Sequence, residues 1–230
     1  MQLSPEDQKT IAAAFSILEN PGFAVKAAKT MGGGVEMAMT VLPEKLTGSL
    51  LDITQTALEK SLRGALFTLD GGKAGDPANN LHQLLAAMTG AAGGALGLAG
   101  LTLELPVSTT IMLRSIADIA RCAGEDITDN EVKLACLEVF ALSGDNRPDD
   151  GSETGYYAIR TLLARSLSEA AAHIGSKGLG KQGAPVLVKL LHAIALRFSV
   201  PVSEKILLQA VPVVGAIGGV SVNLLFIRYF

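Results

Sequence analysis

The 230-residue chain has no tryptophan, and aromatic residues make up only 4% of it. A β-sandwich core draws on aromatic and β-branched side chains, so that architecture lacks its material. Ala, Leu, Val, Ile and Gly supply the apolar content instead, a composition that suits closely packed helices. Charge is scarce as well: charged residues are 18% of the chain, below the usual quarter, while hydrophobic residues reach 49% and mean hydropathy is +0.38. The two cysteines, Cys122 and Cys136, form no C-x-x-C and have no histidine pair beside them. They read as buried thiols rather than as a metal or redox site. His82, His173 and His192 fall in no H-E-x-x-H or H-x-x-x-H spacing, which leaves a zinc hydrolase without ligands. No cofactor and no metal are expected. A net charge of -3 offers nucleic acid no cationic footprint. The N-terminus, MQLSPEDQKT, has acids where a secretory signal needs a basic start and an apolar run, which points to the cytoplasmic side.

What is present reads as helices. Ser4-Pro5-Glu6-Asp7 is a cap, a proline at the first helical position and a first turn of acids, opening a helix from Pro5 to about Glu19. Asn20-Pro21 restarts the chain, Gly32 to Gly34 break or bend it, and Pro43 introduces a third segment to about Phe67. Residues 1–69 thus form a helical preface, and DGGKAGDPANN, residues 70–80, is a linker. The rest, 81–230, is one helical domain. No Asp, Glu, Lys or Arg occurs from Pro77 to Leu103, and Pro106 is expected to interrupt the helix near Leu105 before a second segment runs to about Ala123. Thr128-Asp129-Asn130-Glu131 fits a capping box for a helix to Leu142. Further helices are expected over Glu153 to Gly175, Ala184 to Phe198, and from Ser203 to the end, the last with 22 uncharged residues between Lys205 and Arg228.

The stretch GAAGGALGLAG packs five glycines into residues 90–100. It is no phosphate loop, because Lys-Ser/Thr does not follow and no β-branched strand precedes; a dinucleotide fingerprint fails for the same want of a strand. Gly90, Gly93, Gly94 and Gly97 instead share a helix face, and Gly215, Gly218 and Gly219 repeat the pattern near the C-terminus. Such strips let two backbones approach, in water or in lipid. Both uncharged runs are long enough to span a bilayer, which takes about 20 apolar residues. Glu104 speaks against simple spanning, since a charge at mid-membrane costs about 3 kcal/mol or more.

The polar residues of this region form a candidate internal cluster: Glu104, Arg114, Asp118, Arg121, Glu138 and Lys205. Arg114, Asp118 and Arg121 are spaced by four and three, so they share a helix face and read either as a solvated stripe or as partners of a buried acid. Arg114, Arg121 and Lys205 are each able to neutralise Glu104. Structural pairing is the simpler reading than acid-base chemistry, which only geometry distinguishes.

Four strings, GLAGLTLELPVSTTIMLRSIADIARCAGED, CLEVFALSG, ETGYYAIR and VSEKILLQAVPVVGAIGGVSVN, occur in this order, and together they resemble the EcsC-like family of bacterial proteins over Gly90 to Phe226. The family takes its name from a partner gene of an ABC transporter, so the resemblance implies no particular reaction. It implies a polar signature at Glu104, Pro106, Arg114, Asp118, Arg121, Glu138, Glu153, Tyr157, Arg160, Glu204, Lys205, Pro212 and Asn223; family members are expected to continue with a basic, aromatic tail beyond the point that corresponds to Phe230. The expected protein is an all-α multi-helix bundle whose Gly-rich apolar segments pack in the core or in a membrane. The leading expectation is an accessory factor on the cytoplasmic side, attached to the inner membrane or to a membrane protein. One alternative is a soluble enzyme or ligand-binding protein with Glu104, Arg114, Asp118 and Lys205 around an internal pocket. Others are a membrane-perturbing protein and a homo-oligomer joined through the glycine faces.

Overall fold

The computed structural model describes residues 4–18, 44–68, 76–96, 100–142, 152–178, 184–210 and 215–230. Among these residues every regular element is an α-helix: α1 (Pro5–Leu18), α2 (Glu44–Thr68), α3 (Asn79–Leu96), α4 (Leu101–Cys122), α5 (Asn130–Leu142), α6 (Ser152–Lys177), α7 (Pro185–Ala210) and α8 (Gly215–Tyr229). Gly32 to Gly34, residues 70–75, Gly97 and Pro212 lie outside the described residues.

Local chemistry accounts for the helix ends. At α1 the Asp7 N–H donates to Ser4 Oγ (3.1 Å) and the Ser4 N–H donates back to Asp7 Oδ2 (3.2 Å), so two otherwise orphaned donors are satisfied. Before α5 the cap is Asp129 rather than Thr128, because its Oδ1 accepts the Glu131 N–H at 2.8 Å while Thr128 turns to Asp126. Helix α4 closes on a Schellman turn: Gly124 has φ +99°, its N–H reaches the Arg121 carbonyl, and the Glu125 N–H reaches that of Ala120.

One proline behaves differently from expectation, and a second helix runs on through a proline. Pro106 does not interrupt a helix; it is buried within α4, and the helix boundary lies upstream, before Leu101. Glycine-rich chain is the cheaper place to break, whereas a proline in the second turn forfeits one helical hydrogen bond. The Pro106 carbonyl accepts from Thr110 Oγ1 (2.7 Å) and from Ser61 Oγ of α2 (3.3 Å). Pro201 likewise lies inside α7, which continues to Ala210 instead of ending at Phe198. As a result Lys205 rides on the same rigid helix as Leu190, Ile194 and Phe198.

Helices α2 to α8 share one core. Leu58 and Leu62 of α2, Leu105, Met112 and Leu113 of α4, Leu134, Leu137 and Phe140 of α5, and Phe198 of α7 are all buried in it. The α2 residues come from the stretch read as a preface. Helix α7 runs through the middle, packed against α2, α5, α6 and α8. Phe230 packs on Phe140, Phe198 and Phe226 at ring separations of 5.2, 5.4 and 5.2 Å, which fastens the end of α8 to α5 and α7.

Candidate functional site

Helix α8 lies directly on α3, and two glycines make the arrangement possible. A Cβ on Gly90 would fall against the Gly219 carbonyl oxygen, 2.8 Å from its carbonyl carbon and 2.9 Å from Asn223 Cβ. Any side chain there would push the two backbones apart. A Cβ on Gly93 would lie 2.6 Å from Cγ of Glu104, so this glycine clears the space that the acid fills. Gly218 and Gly219 are buried; Gly94 and Gly215 are helical.

The space holds a closed polar cluster built from four helices, α3, α4, α7 and α8. Lys205 Nζ donates to both carboxylate oxygens of Glu104, at 2.9 and 3.0 Å, and reaches Ser108 Oγ at 3.3 Å. Asn223 Nδ2 donates to Glu104 Oε1 at 2.8 Å and lies 3.1 Å from the Ala86 carbonyl and 3.2 Å from Thr89 Oγ1. The ammonium also sits 4.9 Å from the centre of the Phe226 ring. Lys205 is 0% exposed and Glu104 6%. Charges this deep persist only when paired and hydrogen-bonded, and each of these two is. The one atom of the cluster left over is the buried carbonyl oxygen of Asn223.

Fourteen residues along α4, Asp118 organises a second cluster near the surface. Its Oδ1 accepts from Arg121 Nη2 at 2.6 Å and Nε at 3.2 Å; its Oδ2 accepts the Ala78 N–H at 2.7 Å, capping α3, and stands 3.6 Å from His82 Nε2. Partial burial works to raise the Asp118 pKa, but hydrogen bonds from Arg121 and Ala78 and the nearby charges outweigh it and hold the carboxyl below its ordinary range. The His82 pKa is lowered, chiefly by burial, with Asp118 opposing and Arg114 assisting. Arg114 itself is exposed.

The six candidate polar residues therefore occupy separate places. Glu104 and Lys205 pair, Asp118 and Arg121 pair, and Arg114 faces water. Glu138 is buried on α5 with Oε1 unpartnered; burial raises its pKa, and the charge of Arg160 opposes this. Burial pushes the Cys136 thiol up to about 11, with the charge of Glu125 adding to it, and neither Cys122 nor Cys136 is in a disulfide. Ser108, Thr89 and Phe226 were not singled out by sequence reasoning, and His82 was considered only as a metal ligand and set aside. Ser108 was findable, being one helical turn after Glu104, but the rest join through contacts between helices. Among the described residues no group of three His, Cys, Asp or Glu side chains could hold a metal ion.

The two uncharged runs are each divided between helices, the first between α3 and α4 and the second between α7 and α8. Among the described residues the helix long and apolar enough to cross a membrane is a different one, Pro185–Gln209 of α7, and 44% of its apolar window is buried inside the protein.

Fold and site together define an all-helical bundle protein with a paired charge sealed at its centre. The chain belongs to the EcsC protein family, whose model matches residues 24–230. No curated protein and no solved structure matched the chain.

Proposed function

We propose that this protein is a membrane-associated accessory factor that works by attachment and interaction rather than by catalysis. The observation that carries the reading is how polar and apolar groups are distributed. The charged pair at the centre is consumed by internal hydrogen bonds, while Leu81, Leu84, Leu85 and Met88 of α3 and Leu103 and Val107 of α4 are exposed to solvent. A catalytic or ligand-binding cluster needs a group turned toward its substrate. Glu104, Arg114, Asp118 and Lys205 do not converge on a common space, which disfavours the enzyme reading. Peripheral attachment fits better than spanning, because α7 carries Lys189, Arg197 and Lys205 and is packed on several sides by other helices.

Fractionation of the expressed full chain, with and without detergent, followed by sizing, tests this. Cofractionation with membranes and release by detergent are the expected result. A monomer that stays in the soluble fraction at every salt concentration would sink the reading.

A further inference from the structure

Helices α3 and α4 are pinned side by side at both ends, by Gly93 against Glu104 at one and by Asp118 on Ala78 at the other. Their outward faces differ sharply from the polar surface such a hairpin normally shows. On α3, Leu81, Leu84, Leu85 and Met88 follow one another by three, one and three residues, and are 54, 58, 38 and 61% exposed. That spacing puts them on a single face, opposite Ala86, Gly90 and Gly93, which are buried. On α4, Leu103 and Val107 are 71 and 50% exposed, and Arg114, on the same face, follows Val107 by two turns. Helix α3 contains no Asp, Glu, Lys or Arg. Of the acids near it, Asp118 is already neutralised by Arg121, and Asp76 is exposed before the first turn of α3. The Arg114 guanidinium is exposed on the α4 side of the apolar face and makes no hydrogen bond among the described residues; Arg228 of α8 is also exposed and is hydrogen-bonded to Gln83 of α3.

On this ground, and resting on the membrane reading above, we infer that the outward face of α3 and the first turns of α4 form the surface that enters a lipid bilayer, with Arg114 held by an anionic lipid phosphate. The pieces match what an interfacial helix pair requires. Large unbranched and γ-branched side chains enter the headgroup and acyl boundary to a depth of about 5–10 Å, and a cation waits at the phosphate level. Guanidinium is the cation best shaped for a phosphate, which it meets with two parallel N–H groups. The exposed face of α7 is a contrast: Val188, Leu196 and Val200 are exposed there, but Lys189 and His192 interrupt them.

Vesicle flotation of the full chain tests the assignment, with phosphatidylcholine alone compared to phosphatidylcholine containing phosphatidylglycerol. Wild type is expected to float with the anionic vesicles. The double substitution Leu84→Ser with Met88→Ser removes two large apolar anchors and should cut partitioning more than about tenfold. Arg114→Gln should weaken binding to anionic vesicles about fivefold and leave binding to neutral ones unchanged. These side chains are exposed, so the variants keep the wild-type circular-dichroism melt; Leu103→Ser with Val107→Ser is an independent check on the same face. Wild type and variants floating alike would overturn this surface while leaving membrane attachment standing. No flotation of wild type on either vesicle would overturn both. A dimer in solution that the α3 substitutions dissolve, without vesicle binding, would assign the face to a second copy and overturn the inference.

Discussion

Helix α4 carries two acids fourteen residues apart, nearly four turns and hence on nearly the same face, in opposite surroundings. Glu104 is sealed among α3, α7 and α8, 6% exposed, and its cation Lys205 comes from a helix a hundred residues later. Asp118 is at the margin, its cation Arg121 is three residues away, and its second oxygen caps the start of α3. Both tie α3 to α4. Only the first does so where water cannot replace a lost partner, and that decides what each pair is worth.

The largest expected effect follows from breaking the buried pair. Lys205→Met strands the Glu104 carboxylate and should destabilise the protein by about 3–5 kcal/mol in urea unfolding. Adding Glu104→Gln should recover more than half of that loss, since a buried ion pair replaced as a unit is often nearly neutral. A cost for Lys205→Met no greater than that of a surface pair would collapse the contrast between the two ends of α4.

Next in size is the glycine seam. Gly90→Ala should cost about 1–3 kcal/mol as overpacking, because the added carbon meets the α8 backbone rather than a side chain that can turn aside. Gly64→Ala on α2 is the matched control: its Cβ would stand 3.6 Å from Thr110 Cγ2, an ordinary contact, so helix propensity should prevail and stabilise by about 0.5–1 kcal/mol. Thermal midpoints of the two variants should move in opposite directions.

Asp118→Asn should cost only about 0.2–1 kcal/mol at neutral pH, since a partly exposed pair is screened and Asn can still accept the Ala78 N–H. The folded pKa of Asp118 is depressed, so its stabilising contribution is present above the unfolded value of about 3.9 and lost as pH falls through the lower folded value. Melts of wild type and variant should converge in acid.

The smallest effect concerns Glu138, and its sign is reversed. Its folded pKa is raised, so the penalty of a buried carboxylate is absent below the unfolded value of about 4.3 and grows as pH rises toward the folded one. Glu138→Gln should therefore gain on wild type between pH 4 and pH 7 in paired thermal melts. An unchanged difference across that range would show that burial is not what governs this side chain.

Much of the fold was legible along the chain. Ser4 and Asp7 announce α1, the uncharged glycine stretch announces a close crossing, and the shortage of aromatics points away from sheets. Pro106 was misleading because a single missing N–H is a local cost that packing on both sides can outweigh. Candidate site residues were legible as a set but not as a grouping. Helical spacing joined Asp118 to Arg121 and wrongly drew Arg114 in with them, because residues four apart share a face without being obliged to touch. Nothing in the spacing from Glu104 to Lys205 or Asn223 says that they meet, since contacts between distant helices depend on how the whole bundle packs.

The sequence by itself determined that this protein is helical, apolar and glycine-seamed, with very little charge to bury, because composition, caps and periodicity act within a few residues. Only the tertiary structure decided that Lys205 neutralises Glu104, that Gly90 receives the backbone of α8, and that one face of α3 stays open. Those outcomes rest on which helices lie beside one another, a choice made by the fit of the whole core rather than by any neighbouring residues.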